Sequence, residues 1–130
     1  MTILPITLSA VAAAAVINVW LSIRIGELRH RLNIMLGDGG NELMERRMRA
    51  HSNFNENTPI VLILIGAIEF ARLGNPWLAY ITALYSIGRV LHGFGMDGGR
   101  MEFGRVIGTM VTLLTQLGLA IWAVSIVLDM

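Results

Sequence analysis

In the stretch RAHSNFNENTPIVLILIG, residues 49–66, polar residues lead directly into an apolar run. The uncharged run that begins in this stretch, Asn57 to Ile68, contains 12 residues and spans about 18 Å as a helix. A hydrocarbon core of about 30 Å takes about 20 residues to cross. A membrane-crossing helix must therefore begin near Ser52, which places Asn53 and Glu56 inside the hydrocarbon boundary.

The composition of the whole chain agrees with a membrane protein. Of its 130 residues, 55% are hydrophobic and 15% are charged, against roughly 25% charged in ordinary soluble domains. Four apolar segments are long enough to cross a membrane: Ile3 to Ile23, Asn53 to Ala71, Asn75 to Phe94 and Val106 to Leu128. We therefore expect an all-α membrane protein, a bundle of four transmembrane helices. It forms one domain over residues 1–130, with helices near 3–31, 42–73, 75–95 and 102–129.

Two other interpretations of the apolar segments are disfavoured. The first segment lacks a preceding basic region and is longer than the apolar part of a signal peptide, so we interpret it as a retained helix. A very apolar soluble bundle would need polar stripes along the first and fourth helices, and the sequence shows no obvious ones.

The basic residues predict the orientation in the membrane. All ten are arginine, and most lie around the first and third connections: Arg24, Arg29, Arg31, Arg46, Arg47 and Arg49, then Arg100 and Arg105. The second connection has only Arg72. The positive-inside rule places the first and third connections in the cytoplasm and both termini outside. The expected location is a bacterial inner membrane.

Several classes of function are disfavoured by composition. The chain has no cysteine, which excludes disulfides, thiolate metal sites and a cysteine nucleophile. The three histidines lack the spacing of a zinc motif. A net charge of +1 argues against a nucleic-acid partner. The glycine pairs in LGDGGNELMERR (Leu36 to Arg47) and GMDGGRMEFGR (Gly95 to Arg105) indicate turns, since neither stretch has the Lys-Ser/Thr ending of a phosphate-binding loop.

Polar residues in the predicted spans indicate an internal site. Arg89 and His92 fall in the last two turns of the third helix, at a depth similar to that of Glu56. A lone charge at such a depth costs at least about 2.5–3.5 kcal/mol, so we predict a buried Glu56–Arg89 pair. Three helix faces converge toward the cytoplasmic end, which predicts a polar pocket there. They are Arg46, Arg49, Asn53 and Glu56; Tyr85, Arg89, His92 and Met96; and Arg105, Thr109, Thr112 and Gln116.

Structural interpretations of the same residues stay open. Glutamate–arginine pairs at i,i+4 form surface salt bridges, arginines at helix ends anchor lipid headgroups, and threonines bind helices together. Glu69 is expected to pair with Arg72 at the opposite membrane boundary. The salt-bridge pairs are Glu42–Arg46 and Glu45–Arg49, the headgroup anchors are Arg24, Arg29 and Arg31, and the helix-binding threonines are Thr109 and Thr112. The Glu56–Arg89 pair also has a purely structural interpretation.

RAHSNFNENTP resembles the signature of the membrane-associated proteins in eicosanoid and glutathione metabolism, the MAPEG family. That signature is Arg-Ala-His/Gln-x-Asn-x-x-Glu-x-x-Pro, and the spacing from Arg49 through Asn53 and Glu56 to Pro59 matches it without a gap. GRVLH, residues 88–92, followed 13 residues later by Arg105, resembles the corresponding stretch of the prostaglandin E synthase branch. The resemblance covers essentially the whole chain.

The resemblance implies a homotrimer with three glutathione sites at its subunit interfaces, open to the cytoplasm. The implied catalytic residue is Arg105, beside the glutathione sulfur, and the implied glutathione-binding residues are Arg49, Asn53, Glu56, Arg89, His92 and, from a neighbouring subunit, Arg24. Guanidinium groups suit the two carboxylates of glutathione, and a carboxylate suits its amine. A nearby guanidinium also favours the thiolate, which is the nucleophile.

The function implied is a membrane-bound glutathione transferase, or a glutathione peroxidase, acting on small apolar electrophiles or lipid hydroperoxides that arrive from the membrane. Val90, Leu91 and Thr109 are expected to line the electrophile's pocket. Asn57 and Met96 stand where family members carry tyrosines. The alternatives are a non-catalytic scaffold that binds a lipid or a partner, and a small transporter in which Glu56 couples protons.

Overall fold

The structure, a computed structural model, describes residues 3–98 and 102–130. Within these ranges it contains four α-helices: α1 Pro5–Leu32, α2 Glu42–Ala71, α3 Pro76–Gly95 and α4 Phe103–Leu128. The predicted all-α architecture with four helices is confirmed. Arg100, counted above among the cytoplasmic arginines, lies outside the described residues.

Local sequence explains where the helices begin and end. Asn41 precedes α2 and its side chain accepts a hydrogen bond from the Met44 amide at 3.0 Å. Asn75 caps α3 in the same way, and a proline opens both α1 and α3, where its missing amide costs nothing. Asn33 ends α1 in the left-handed conformation, with φ of 53°.

Three of the described helices combine the length and the hydropathy of a membrane span: α1, α2 and α4. α3 has 20 residues, about 30 Å of helix, but carries Arg89 and His92. Both of these side chains are buried inside the bundle, with 1% and 4% of their surface exposed. The Arg89 and His92 side chains are therefore kept away from lipid by the other helices.

The four helices pack as a bundle. α3 packs most extensively on α4, and α1 on α2, while α2 also contacts α4 and α3, and α1 contacts α3. One apolar core includes Val61, Ile65, Leu78 and Leu119. A second core contains Ile17, Leu21, Ala50, Phe54 and Met96, and lies toward the end that carries the first connection.

The prediction that Glu69 pairs with Arg72 is wrong. The Glu69 carboxylate accepts hydrogen bonds from the backbone amides of Ile6 at 2.9 Å and Thr7 at 2.7 Å, and from the Thr7 hydroxyl at 2.6 Å. The first amides of a helix have no partner within it, so the first turn of α1 supplies donors that a buried carboxylate can use. Arg72 is exposed at the end of α2.

Candidate functional site

A polar cavity of about 320 Å³ opens between α2, α3 and α4. It lies where α2 and α4 begin and α3 ends, which is the end of the bundle that carries the first and third connections. The residues that line it are Arg49, Ser52, Asn53 and Glu56 from α2, His92 and Met96 from α3 and its end, and Arg105 and Thr109 from α4.

The cavity wall brings together most of the predicted site residues. Arg49, Asn53 and Glu56 lie on successive turns of α2 and face His92 and Arg105 across the opening. The spacings of four and three residues along α2 put these three side chains on one face. Two predicted site residues, described next, do not line this cavity.

Arg89 lies inside the bundle rather than in the cavity wall. Its Nη1 donates a hydrogen bond to the Thr112 hydroxyl at 2.8 Å, and its guanidinium lies 5.7 Å from the centre of the Phe54 ring. The predicted Glu56–Arg89 pair is wrong, since no ion pair joins these two described residues. The Glu56 side chain is exposed and lines the cavity, whereas Arg89 is buried in the interior of the bundle.

Arg24 is engaged within its own chain. Its Nη1 donates to the Gly93 carbonyl at 2.7 Å and its Nη2 donates to the carboxylate of Asp97. The guanidinium also lies 4.8 Å from the centre of the Trp20 ring and 5.3 Å from that of Phe94. Arg24 therefore joins α1 to the end of α3.

Asp97 is an important residue that the sequence interpretation missed. Besides Arg24, it accepts hydrogen bonds from Nε of Arg47 at 3.1 Å and from Nη2 of Arg47 at 2.9 Å. Partial burial raises its pKa, but the hydrogen bonds and charges of Arg47 and Arg24 outweigh this effect and lower the pKa below its usual value. The single carboxylate thus ties α1 and α2 to the end of α3.

A second polar cluster lies between α1 and α2, away from the cavity. Nε2 of His51 is 2.6 Å from the side-chain oxygen of Asn18 and 3.4 Å from the Ser22 hydroxyl. Asn18 and Ser22 are four residues apart on α1, the spacing of one helix face. This pattern could have revealed a polar patch on a helix that the sequence interpretation treated as wholly apolar.

Val90 and Leu91, the two apolar residues expected to line the electrophile's pocket, do not line the polar cavity. Val90 and Leu91 line a groove of about 570 Å³ between α1 and α3, together with residues such as Ala13 and Val16. Of the three residues expected to line the electrophile's pocket, only Thr109 lines the polar cavity. Val90 and Leu91 belong to other faces of α3, because they precede His92 by two residues and one residue.

These features define a small helical membrane protein with a charged cavity at one end of its bundle. The family model described as "MAPEG family" matches residues 7–125. The chain therefore belongs to the MAPEG family, as the resemblance predicted, and is an integral membrane protein of the group associated with glutathione or eicosanoid metabolism. A search of curated proteins found no match.

Proposed function

We propose that the protein is a membrane-bound glutathione transferase that activates the glutathione thiol for attack on small apolar electrophiles, or for reduction of lipid hydroperoxides. The observation that carries the proposal is the cavity, which is lined by two guanidinium groups, a carboxylate, an amide and an imidazole. Membership of the MAPEG family supports glutathione as the co-substrate.

The cavity suits glutathione in size and in charge. Its volume of about 320 Å³ lies at the lower end of the roughly 300–1,000 Å³ range of small-molecule sites. Arg49 would bind a glutathione carboxylate, and Glu56 its amine, because charge-assisted hydrogen bonds are the stronger ones. Asn53 supplies a donor and an acceptor between them. Arg89 and Arg24 donate hydrogen bonds to Thr112 and to the Gly93 carbonyl and do not line the cavity.

Arg105 would activate the thiol. It lies in the first turn of α4, where the helix dipole adds positive potential to that of its own guanidinium. A free thiol has a pKa of about 8.5, and a neighbouring cation lowers it. The thiolate sulfur would form a bond to an electrophilic carbon, and the leaving group would depart with its electron pair. With a hydroperoxide, two glutathione molecules would instead yield the alcohol, water and glutathione disulfide.

Assembly and orientation form part of the proposal. Glu56 and Ser52 are exposed on α2 in a single protomer, at a depth where lipid cannot solvate a carboxylate. A homotrimer, in which a neighbouring copy covers this side, would shield them and complete the site. The arginine distribution supports a cytoplasmic location for the cavity.

Thiolate formation on glutathione binding tests the proposal. Glutathione is added to detergent-purified protein near pH 7 and the thiolate is followed by ultraviolet difference absorbance, with binding measured separately by calorimetry. We expect a signal in the wild type, its loss in Arg105→Ala and its retention in Arg72→Ala, an exposed arginine at the far end of α2. The absence of both binding and signal would refute the transferase. Binding without a thiolate would favour the non-catalytic scaffold.

A further inference from the structure

α3 and α4 meet at glycine residues on both helices. A Cβ atom added to Gly108 of α4 would lie 2.8 Å from the Cα of His92 and 2.7 Å from the Gly88 carbonyl oxygen. A Cβ added to Gly95 of α3 would lie 2.6 Å from the Gly104 carbonyl carbon and 3.0 Å from the Cα of Arg105. Since non-bonded heavy atoms rest at about 3.5 Å or more, neither position accepts a larger residue unless the helices separate.

The two glycines contact the backbone of the cavity's own residues. Gly108 lies against His92, and Gly95 lies against Arg105, so each helix presents a glycine to the cavity residue of the other helix. Other glycines behave differently. A Cβ on Gly88 would meet the side chain of Val111, and a Cβ on Gly118 of α4 would meet nothing within 4 Å.

We propose that Gly95 and Gly108 are positioning residues of the thiol site, which hold the start of α4 against the end of α3 and thereby fix Arg105 beside His92. This proposal rests on the proposed function, because it concerns the guanidinium that would acidify glutathione. Larger side chains at positions 95 and 108 would push the start of α4 away from α3, and Arg105 would move outward with its backbone.

The size of the expected change in the thiol pKa follows from how closely an added Cβ would approach the neighbouring helix. Raising a contact from 2.7 Å to an ordinary separation parts the helices by roughly 1 Å. At an effective dielectric constant of about 20, moving a guanidinium from about 4 to about 5 Å from a thiolate raises the thiol pKa by about 0.6 unit. We therefore expect the thiolate fraction of bound glutathione at neutral pH to fall, by at most about fourfold.

The experiment titrates bound glutathione with pH by ultraviolet difference absorbance in Gly108→Ala, Gly88→Ala, Gly118→Ala and the wild type. Glutathione is kept at saturating concentration, so that the measured thiol pKa does not depend on binding affinity. Binding itself is measured by calorimetry. Gly88→Ala perturbs the same helix pair through a side chain, and Gly118→Ala is the substitution without a contact. We expect a raised thiol pKa in Gly108→Ala alone, with helicity and glutathione binding retained.

Three results would overturn the inference. An unchanged thiol pKa in Gly108→Ala, with a normal thiolate signal in the wild type, would refute the positioning role and leave the proposed function standing. Equal shifts in Gly108→Ala and Gly88→Ala would show a general loosening of the helix pair. The absence of any wild-type thiolate would refute the proposed function itself. If Gly108→Ala does not fold, Gly104→Ala provides a milder test, since only the Leu91 carbonyl oxygen, at 2.7 Å, would lie closer than 3.4 Å to its Cβ.

Discussion

Asp97→Asn should destabilise the protein more than any other single change of charge at the end of the bundle that carries the first and third connections. The Asp97 carboxylate accepts hydrogen bonds from Arg24 and from two nitrogens of Arg47, and these two arginine side chains are only 9% and 16% exposed. The substitution leaves both guanidinium groups close together without their shared anion. Since Asp97 itself is 32% exposed and thus partly screened, we expect a loss of about 2–4 kcal/mol of unfolding free energy.

The assay is unfolding in mixed detergent micelles, followed by circular dichroism. Glu42→Gln is the matched control because it also removes one carboxylate from an arginine pair. Glu42 is 86% exposed and lies 3.3 Å from Arg46, at i,i+4 spacing. Exposed pairs of this kind contribute about 0.3–0.5 kcal/mol, so Glu42→Gln should change the unfolding free energy by no more than that.

The same prediction has a pH dependence whose sign follows from the lowered pKa of Asp97. A carboxyl group whose pKa is lower in the folded than in the unfolded protein stabilises the fold at pH values above its unfolded-state pKa, which is near 3.8 for this aspartate. That stabilisation is lost as the pH falls through the lower folded-state pKa. The difference between the wild type and Asp97→Asn should therefore be constant from pH 5 to 7 and shrink below about pH 4. Equal stabilities of the two proteins at pH 7 would refute the reasoning.

Two further predictions concern polar contacts in the membrane. Glu69→Gln replaces one of the oxygens that accept from Ile6 and Thr7 with a donor, so we expect a loss of about 1–3 kcal/mol in the same unfolding assay; a loss below 0.5 kcal/mol would contradict the capping role. The hydroxyls of Thr58 and Tyr85 are 2.8 Å apart. A double-mutant cycle of Thr58→Val and Tyr85→Phe should give a coupling energy of about 0.6 kcal/mol, and additive effects would contradict the hydrogen bond.

Much of the fold could be predicted because hydrocarbon imposes strong constraints on sequence. Uncharged runs of sufficient length identify α1 and α4 directly. The regular spacing of Arg49, Asn53 and Glu56 places them on one face of α2, and the structure brings that face to the cavity. Periodicity along one helix is a local property, so it can be interpreted without knowledge of the packing.

Contacts between distant segments could not be predicted in this way. The sequence interpretation paired Glu56 with Arg89 by depth alone, but depth does not determine which way each side chain faces around its helix. The sequence indicates only that Asp97 lies in a turn. In the structure its carboxylate contacts Arg24 and Arg47, which are far away along the chain. Glu69 was paired with the nearest arginine, whereas the donors it uses belong to the start of α1.

The two departures from the family pattern increase the expected importance of Arg105. Asn57 donates its side-chain amide to the Asn53 carbonyl at 2.8 Å, and Met96 packs into the apolar core, so neither replaces a tyrosine hydroxyl in the cavity. The Thr109 hydroxyl donates to the backbone carbonyl of Arg105 at 2.9 Å. The described residues that line the cavity include two guanidinium groups, Arg49 and Arg105, and since Arg49 would bind a glutathione carboxylate under the proposed function, Arg105 is the one left to stabilise a thiolate. We accordingly expect Arg105→Ala to abolish the thiolate signal rather than reduce it, and a signal that survives at half strength or more would contradict this assignment.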